Sequence, residues 1–223
     1  MKSTRKEISP TQKMLNLWAV VLIIWAIYRA YFKTTLPIWA DELIAKPLVF
    51  ILPVYWYIKS IEKKPFFEGI DLSFKNSKGS ILLGIGVGMV FFVTGLIATF
   101  VKSKDITHVF SSITPVSLLG YFILALATAV SEEILSRGFV LKRLYLESKN
   151  IYTSSFFASI LFFFLHIPIL FSDDKIGGMI LLRVMFTDMI LSLAVSFLYL
   201  DRRSLIVPIL VHLFYNLSLT IFV

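Results

Sequence analysis

Two adjacent glutamates, two histidines on separate apolar runs and one asparagine are the side chains here whose types and spacing could hydrolyse an amide bond. Glu132 and Glu133 stand in the segment Ala129-Val130-Ser131-Glu132-Glu133-Ile134-Leu135-Ser136-Arg137, His166 follows Phe162 by four residues, and Asn216 follows His212 by four. On a helix, Glu133 and Arg137 share a face and can neutralise each other. Glu132 points about 100° away and is expected to lack that partner. An unpaired carboxylate beside hydrocarbon has its charged form disfavoured, which suits a general base working near neutral pH. His212 and Asn216 present an imidazole and an amide to one side of their helix, and His166 adds a second imidazole from another. A carboxylate, two imidazoles and an amide are enough to activate a water and stabilise an oxyanion without a covalent intermediate.

The elements that must carry these residues are set by the solvent. Of the 223 residues 57% are hydrophobic and 16% charged, against about 45–50% and about 25% in soluble domains. Seven apolar stretches, at roughly 15–32, 43–58, 80–101, 116–137, 153–171, 176–200 and 204–223, have about the length a helix needs to cross a bilayer. The second is marginal, being interrupted by Pro47 and Pro53. The alternating ten-residue segments of a transmembrane barrel do not occur. The expected fold is therefore all-α, a polytopic transmembrane helix bundle of about seven spans, forming one membrane domain over 1–223. Within it an ionisable group costs roughly 2.5–3.5 kcal/mol to insert, so each intramembrane charge is a functional candidate.

The net charge of +8 is spread in short clusters between apolar runs, an arrangement that orients loops against a membrane and does not predict a nucleic-acid partner. With the N-terminus cytoplasmic, inside segments hold 15 basic residues: Lys2, Arg5, Lys6, Lys13, Lys59, Lys63, Lys64, Lys75, Lys78, Arg137, Lys142, Arg143, Lys149, Arg202 and Arg203. Outside segments hold 6: Arg29, Lys33, Lys46, Lys102, Lys104 and Lys175. The bias predicts the N-terminus inside and the C-terminus outside. The basic N-terminal stretch is followed by an apolar run but no small-residue cleavage site, so a retained first span is expected. Cysteine is absent, which removes disulfides, thiolate metal sites and a Cys nucleophile.

Taken in order on three hydrophobic segments, Glu132-Glu133-x-x-x-Arg137, Phe162-x-x-x-His166 and His212-x-x-x-Asn216 resemble the signature motifs of the CPBP family, the CAAX proteases and bacteriocin-processing enzymes also called the Abi family. The resembling core runs from about 118 to 220. The resemblance implies an intramembrane endopeptidase acting on a membrane-associated peptide or protein. It implies that Glu132 activates the attacking water with His166 assisting, that His212 and Asn216 stabilise the oxyanion, and that Glu133 and Arg137 hold the site in shape. No cofactor is required on this reading. Zinc is the alternative, with Glu132, His166 and His212 as its ligands, although the His-Glu-x-x-His spacing of common zinc peptidases is missing. Prenylated C-terminal substrates are implied for the eukaryotic branch of the family, and bacteriocin immunity, peptide maturation or signalling for bacterial relatives. Composition and short loops point to a bacterial cell membrane, and the site is expected to open toward the cytoplasmic leaflet.

Other signals read as structural. Gly84, Gly86 and Gly88 lack the context of a phosphate loop, and Gly84 with Gly88 forms a small-xxx-small packing face. The segment from Leu141 to Asn150 suits a short helix lying at the cytoplasmic interface. Arg183 and Asp188 match no family motif and are assigned structural roles; His108 is placed in a polar surface loop. Neither a serine-protease elbow nor a pair of intramembrane aspartates is present. Counted from the cytoplasmic ends, Glu132 and His212 lie near that side while His166 comes out deeper. A fifth span that begins nearer Phe157, or is tilted, would bring them level. Two other function classes remain: a non-catalytic immunity or regulatory protein of the same fold, and a small proton-coupled transporter, which would ordinarily show internal repeats that are not found here.

Overall fold

The computed structural model of the chain describes residues 8–32, 36–75, 77–105, 107, 111, 113–171 and 178–222. His108 and Lys175 lie outside the described residues. No strand occurs among those described, and each of the seven apolar stretches is mainly helical over its described residues, as an all-α membrane bundle requires. Four helices, Pro10–Phe32, Lys78–Ser103, Pro115–Ser148 and Ile151–Ile169, are long and apolar enough to cross a membrane, and Ile206–Phe222 is a shorter apolar helix.

Helix α1 (Pro10–Ile27) starts with Pro10 at its first turn and Ser9 accepting a hydrogen bond from the Gln12 amide at 3.2 Å, and it widens into a π-helical end over Tyr28–Phe32. Helix α2, residues 38–62, is wound alternately: α-helical at Ile38–Ala40 and Leu52–Tyr57, π-helical at Asp41–Ala45, Pro47–Ile51 and Ile58–Glu62. Pro47 and Pro53 cannot donate to the preceding turn, and the chain accommodates them by widening the helix without breaking it. A short turn, α3 (Phe66–Gly69), leads to α4 (Lys78–Ser103).

Helix α5 starts from a Thr114–Ser117 capping box and runs through Pro115–Glu133, a π-helical stretch at Ile134–Leu141, and Lys142–Ser148. It does not stop at residue 137, where the apolar stretch ends. The segment after Leu141 continues this helix and is not a separate interfacial one, because its basic residues have partners inside the fold. Arg143 is buried, bonded to Glu62 at 2.8 and 2.9 Å and to the Gly138 carbonyl at 2.7 Å, and Lys142 meets Asp71 at 2.6 Å. Helix α6 (Ile151–Phe164) is capped by Asn150 and runs on through a 3-10 segment at Ile167–Phe171. Helices α7 (Gly178–Arg202) and α8 (Ile206–Phe222) complete the bundle.

Packing follows from small residues wherever two helices must approach closely. A Cβ added to Gly84 would stand 2.9 Å from Leu210 Cβ, and one added to Gly88 would stand 2.6 Å from Phe214 Cδ2, so these glycines seat α4 on α8 as the spacing predicts. Gly86 faces away, with nothing near its position. Between α6 and α7 serine does the same work: Ser155, Ser159, Ser192 and Ser196 are buried, and Ser192 donates to Ser159 at 2.9 Å. The main apolar core joins α1, α2, α5 and α6 with Tyr199, Leu205 and Ile209.

Candidate active site

Glu132 and Glu133 occupy the α-helical turn of α5 immediately before its π-helical stretch. Both are buried, and each has its own set of partners. Glu133 Oε1 accepts from Arg137 Nη1 at 2.7 Å, as the four-residue spacing predicts, and lies 2.8 Å from His212 Nδ1. Arg137 is stacked over the Phe162 ring, its guanidinium carbon 4.6 Å from the ring centroid. Phe162 also meets His212 edge-on, so the phenyl ring packs Arg137 and the imidazole together. Holding Nδ1 against Glu133 leaves His212 Nε2 facing Glu132 Oε2 at 3.8 Å.

The expectation that Glu132 lacks a partner does not hold. Its Oε1 accepts from the Lys46 ammonium at 2.8 Å, and Lys46 is held in turn by Glu42 at 2.7 Å. Thr128, one turn before Glu132, donates to Glu42. Counted with the outside cations by charge bias, Lys46 is instead buried, because α2 lies against α5 and the two helices supply one carboxylate each, Glu42 and Glu132, that make burial of the charge tolerable. Beside it, Arg29 pairs with Asp41 at 3.0 Å, and Tyr28 donates to the other Asp41 oxygen at 2.6 Å.

His166 lies just past the end of α6. Its Nδ1 is 3.1 Å from the Phe162 carbonyl and its Nε2 is 3.3 Å from Asp188 Oδ2. Asp188 also accepts from the Tyr215 hydroxyl at 2.7 Å, and Tyr215 is 2.9 Å from Thr187 Oγ1. Asp188 therefore belongs to the histidine cluster, a place its lack of a family motif had concealed. Arg183, by contrast, is exposed.

A cavity of about 110 Å³ is lined by Trp25, Arg29, Glu42, Lys46, Phe50, Glu132, Leu165, His166 and Ile169. A larger, mostly apolar groove of about 510 Å³ adjoins it, sharing Glu42 and Ile169 and bordered by Ile38, Tyr121, Leu124, Ala125, Thr128, Leu219, Thr220 and Asn216. The Asn216 Nδ2 is buried with no protein partner. Glu132 and His166 thus share one cavity, His212 closes on Glu132 from behind, and Asn216 stands in the neighbouring groove.

The depth mismatch between these residues resolves without a shift of α6, which begins at Ile151. Glu132 is mid-helix in a 34-residue helix, and α8 starts inside the protein, with Leu205 through Pro208 buried. The cavity is lined by the last turns of α1 and the end of α6, away from the start of α1, where the Thr11 amide donates to Glu147. The cavity therefore lies toward the Trp25–Arg29 end of α1, opposite the end that carries Thr11.

Among the described residues no group of three or more His, Asp or Glu side chains is arranged to hold a metal ion. In the alternative zinc trio, His212 Nδ1 is engaged by Glu133, and His166 Nε2 is directed at Asp188.

Residues 114–218 match the family model described as type II CAAX prenyl endopeptidase Rce1-like. Over this segment, a little under half of the chain, the protein is similar to that family. All three motifs fall within the match, whose family model is described as a prenyl endopeptidase. Its boundaries leave out α1 and α2, so Arg29, Glu42 and Lys46 reach the site from outside the matched segment. No curated protein matches the chain, and no solved structure does.

Proposed function

We propose that the protein is an intramembrane endopeptidase that hydrolyses a peptide bond in a membrane-associated peptide or protein by Glu132-activated water. The observation that carries this reading is the 3.8 Å separation of Glu132 Oε2 and His212 Nε2 beside a cavity shared with His166. A water oxygen lying off that axis can reach both atoms at hydrogen-bond distance. Glu132 takes the water proton as oxygen attacks the carbonyl carbon. A protonated His212, held at Nδ1 by Glu133, donates from Nε2 to the oxyanion, and the free Asn216 amide is the second donor. The C–N bond then breaks, and the proton held by Glu132 passes to the leaving amine, while His166, in the same cavity, assists Glu132 in activating the water.

On this reading the chain's own side chains suffice, and activity persists after strong chelation. Stoichiometric zinc whose removal abolishes cleavage, restored on adding it back, would contradict that. On this reading the protein sits in a bacterial cell membrane with its N-terminus cytoplasmic, and its partners are the bilayer and a membrane-associated substrate in preference to nucleic acid.

The decisive experiment is Glu132→Gln in membranes expressing matched amounts of protein. The probe is a quenched fluorescent peptide ending in a prenylated cysteine and three further residues, the substrate type in the name of the matched family. Cleavage should fall by roughly 10²–10⁴. Because Lys46 keeps Glu42 as a partner, the variant should still insert and fold. Full activity in Glu132→Gln would end the proteolytic reading and leave a non-catalytic immunity or regulatory protein as the better account.

A further inference from the structure

The charged groups that the family motifs do not explain are concentrated at one place, where α2 crosses α5. Two four-residue pairs face each other there: Glu42 and Lys46 on α2, Thr128 and Glu132 on α5. Thr128 donates to Glu42, Glu42 holds Lys46 at 2.7 Å, and Lys46 holds Glu132 Oε1 at 2.8 Å. The π-helical segments Asp41–Ala45 and Pro47–Ile51 flank Lys46, and the π-helical stretch of α5 follows directly after Glu133. Such windings are uncommon and recur where a helix must aim a functional side chain.

We propose that Lys46, anchored by Glu42, is a positioning residue for Glu132, pinning Oε1 so that Oε2 alone is presented to His212 and the attacking water. The inference rests on the reading of Glu132 as the base. A glutamate has three rotatable side-chain bonds, and an unclamped carboxylate would sample several orientations. Lys46 removes that freedom through a charge-assisted hydrogen bond between two buried side chains, where such contacts are strong. Glu42 has a matching task. An ammonium facing only Glu132 would be free to swing into the cavity it lines, whereas two carboxylates fix it between the helices. A residue on α2 thereby governs the geometry of a base on α5, 86 positions away in sequence.

The test uses the same prenylated peptide probe with steady-state kinetics in the purified full chain. Lys46→Gln should lower kcat by about 10²-fold with KM nearly unchanged, since a misaimed base costs in the transition state and not in substrate binding. Lys46→Arg keeps the charge, can span both carboxylates, and should restore most of the rate. A merely structural lysine would lower thermal stability and the amount of folded enzyme while leaving kcat per folded molecule intact, and that result would overturn the proposal. If Lys46→Gln fails to accumulate, the double variant Glu42→Gln with Lys46→Met removes one charge of each sign. It should show the same loss of kcat, and an unaltered kcat there would equally overturn the proposal. Glu132→Gln assayed alongside separates the two readings. An active Glu132→Gln sinks the base itself, while an inactive Glu132→Gln beside a fully active Lys46→Gln sinks only the role of Lys46.

Discussion

His212 Nδ1 lies 2.8 Å from Oε1 of Glu133, the same oxygen that accepts from Arg137 at 2.7 Å. Glu133 is therefore the hinge of the motif, joining the ion pair on its own helix to the imidazole on α8. Glu133→Gln should lose stability as well as activity, because it leaves the Arg137 charge buried without its carboxylate. Breaking a buried pair costs about 3–5 kcal/mol. Thermal unfolding in detergent, run beside the cleavage assay, should show both losses in Glu133→Gln and mainly the activity loss in Glu132→Gln.

Asp188 offers a second check on the histidine cluster. Asp188→Asn retains a hydrogen-bonding side chain near Tyr215 but removes the negative charge 3.3 Å from His166 Nε2. Cleavage is expected to fall by about 10- to 100-fold through misplacement of the imidazole. The exposed neighbour Arg183 supplies the control, and Arg183→Gln should leave the rate within about twofold. Equal effects of the two substitutions would show that Asp188 has no privileged link to His166.

The contact of α4 with α8 predicts a contrast between glycines on one helix. Gly88→Leu forces a side chain into Phe214 and should destabilise the bundle by about 1–3 kcal/mol. Gly86→Leu points into open space and should leave the unfolding temperature unchanged or slightly raised. Matched losses in both would mean that α4 is not seated on α8 through Gly88.

Orientation is testable at the two ends of α4, since the chain has no cysteine of its own. Lys78→Cys and Lys104→Cys place single thiols at exposed positions. An impermeant thiol reagent should label position 104 in intact cells and position 78 only after permeabilisation. The opposite pattern would reverse the topology and put the cavity in the cytoplasmic half.

The apolar stretches made the long helices legible, and the spacing of Glu133, Arg137, His212 and Asn216 made much of the site legible too. Lys46, Glu42 and Arg29 were missed for a physical reason. Beside a proline-interrupted apolar run, their charges look like the ends of a span, and charge counting assigns such residues to loops. What buries Lys46 is a carboxylate from a helix 86 residues further on, a relation that local periodicity does not carry. One signal was available: Glu42 and Lys46 are four apart at the edge of an apolar run, a pair able to enter the bilayer together. The course of α5 past residue 137 was hidden similarly, because Arg143 looks like an interfacial cation until Glu62 is brought beside it.

The wide winding at Ile134–Leu141 fixes a phase relation along α5. Upstream of it Glu132 and Glu133 face Lys46 and His212; downstream, Lys142 and Arg143 face Asp71 and Glu62. Deleting any one residue between these sets would turn everything after the cut by about 100° relative to everything before it. The glutamates and the basic anchors could then no longer meet their partners together. Substitutions inside the stretch are far gentler than a change in its length, so the number of residues between Glu133 and Lys142 is itself a conserved-by-geometry quantity, independent of which side chains fill it.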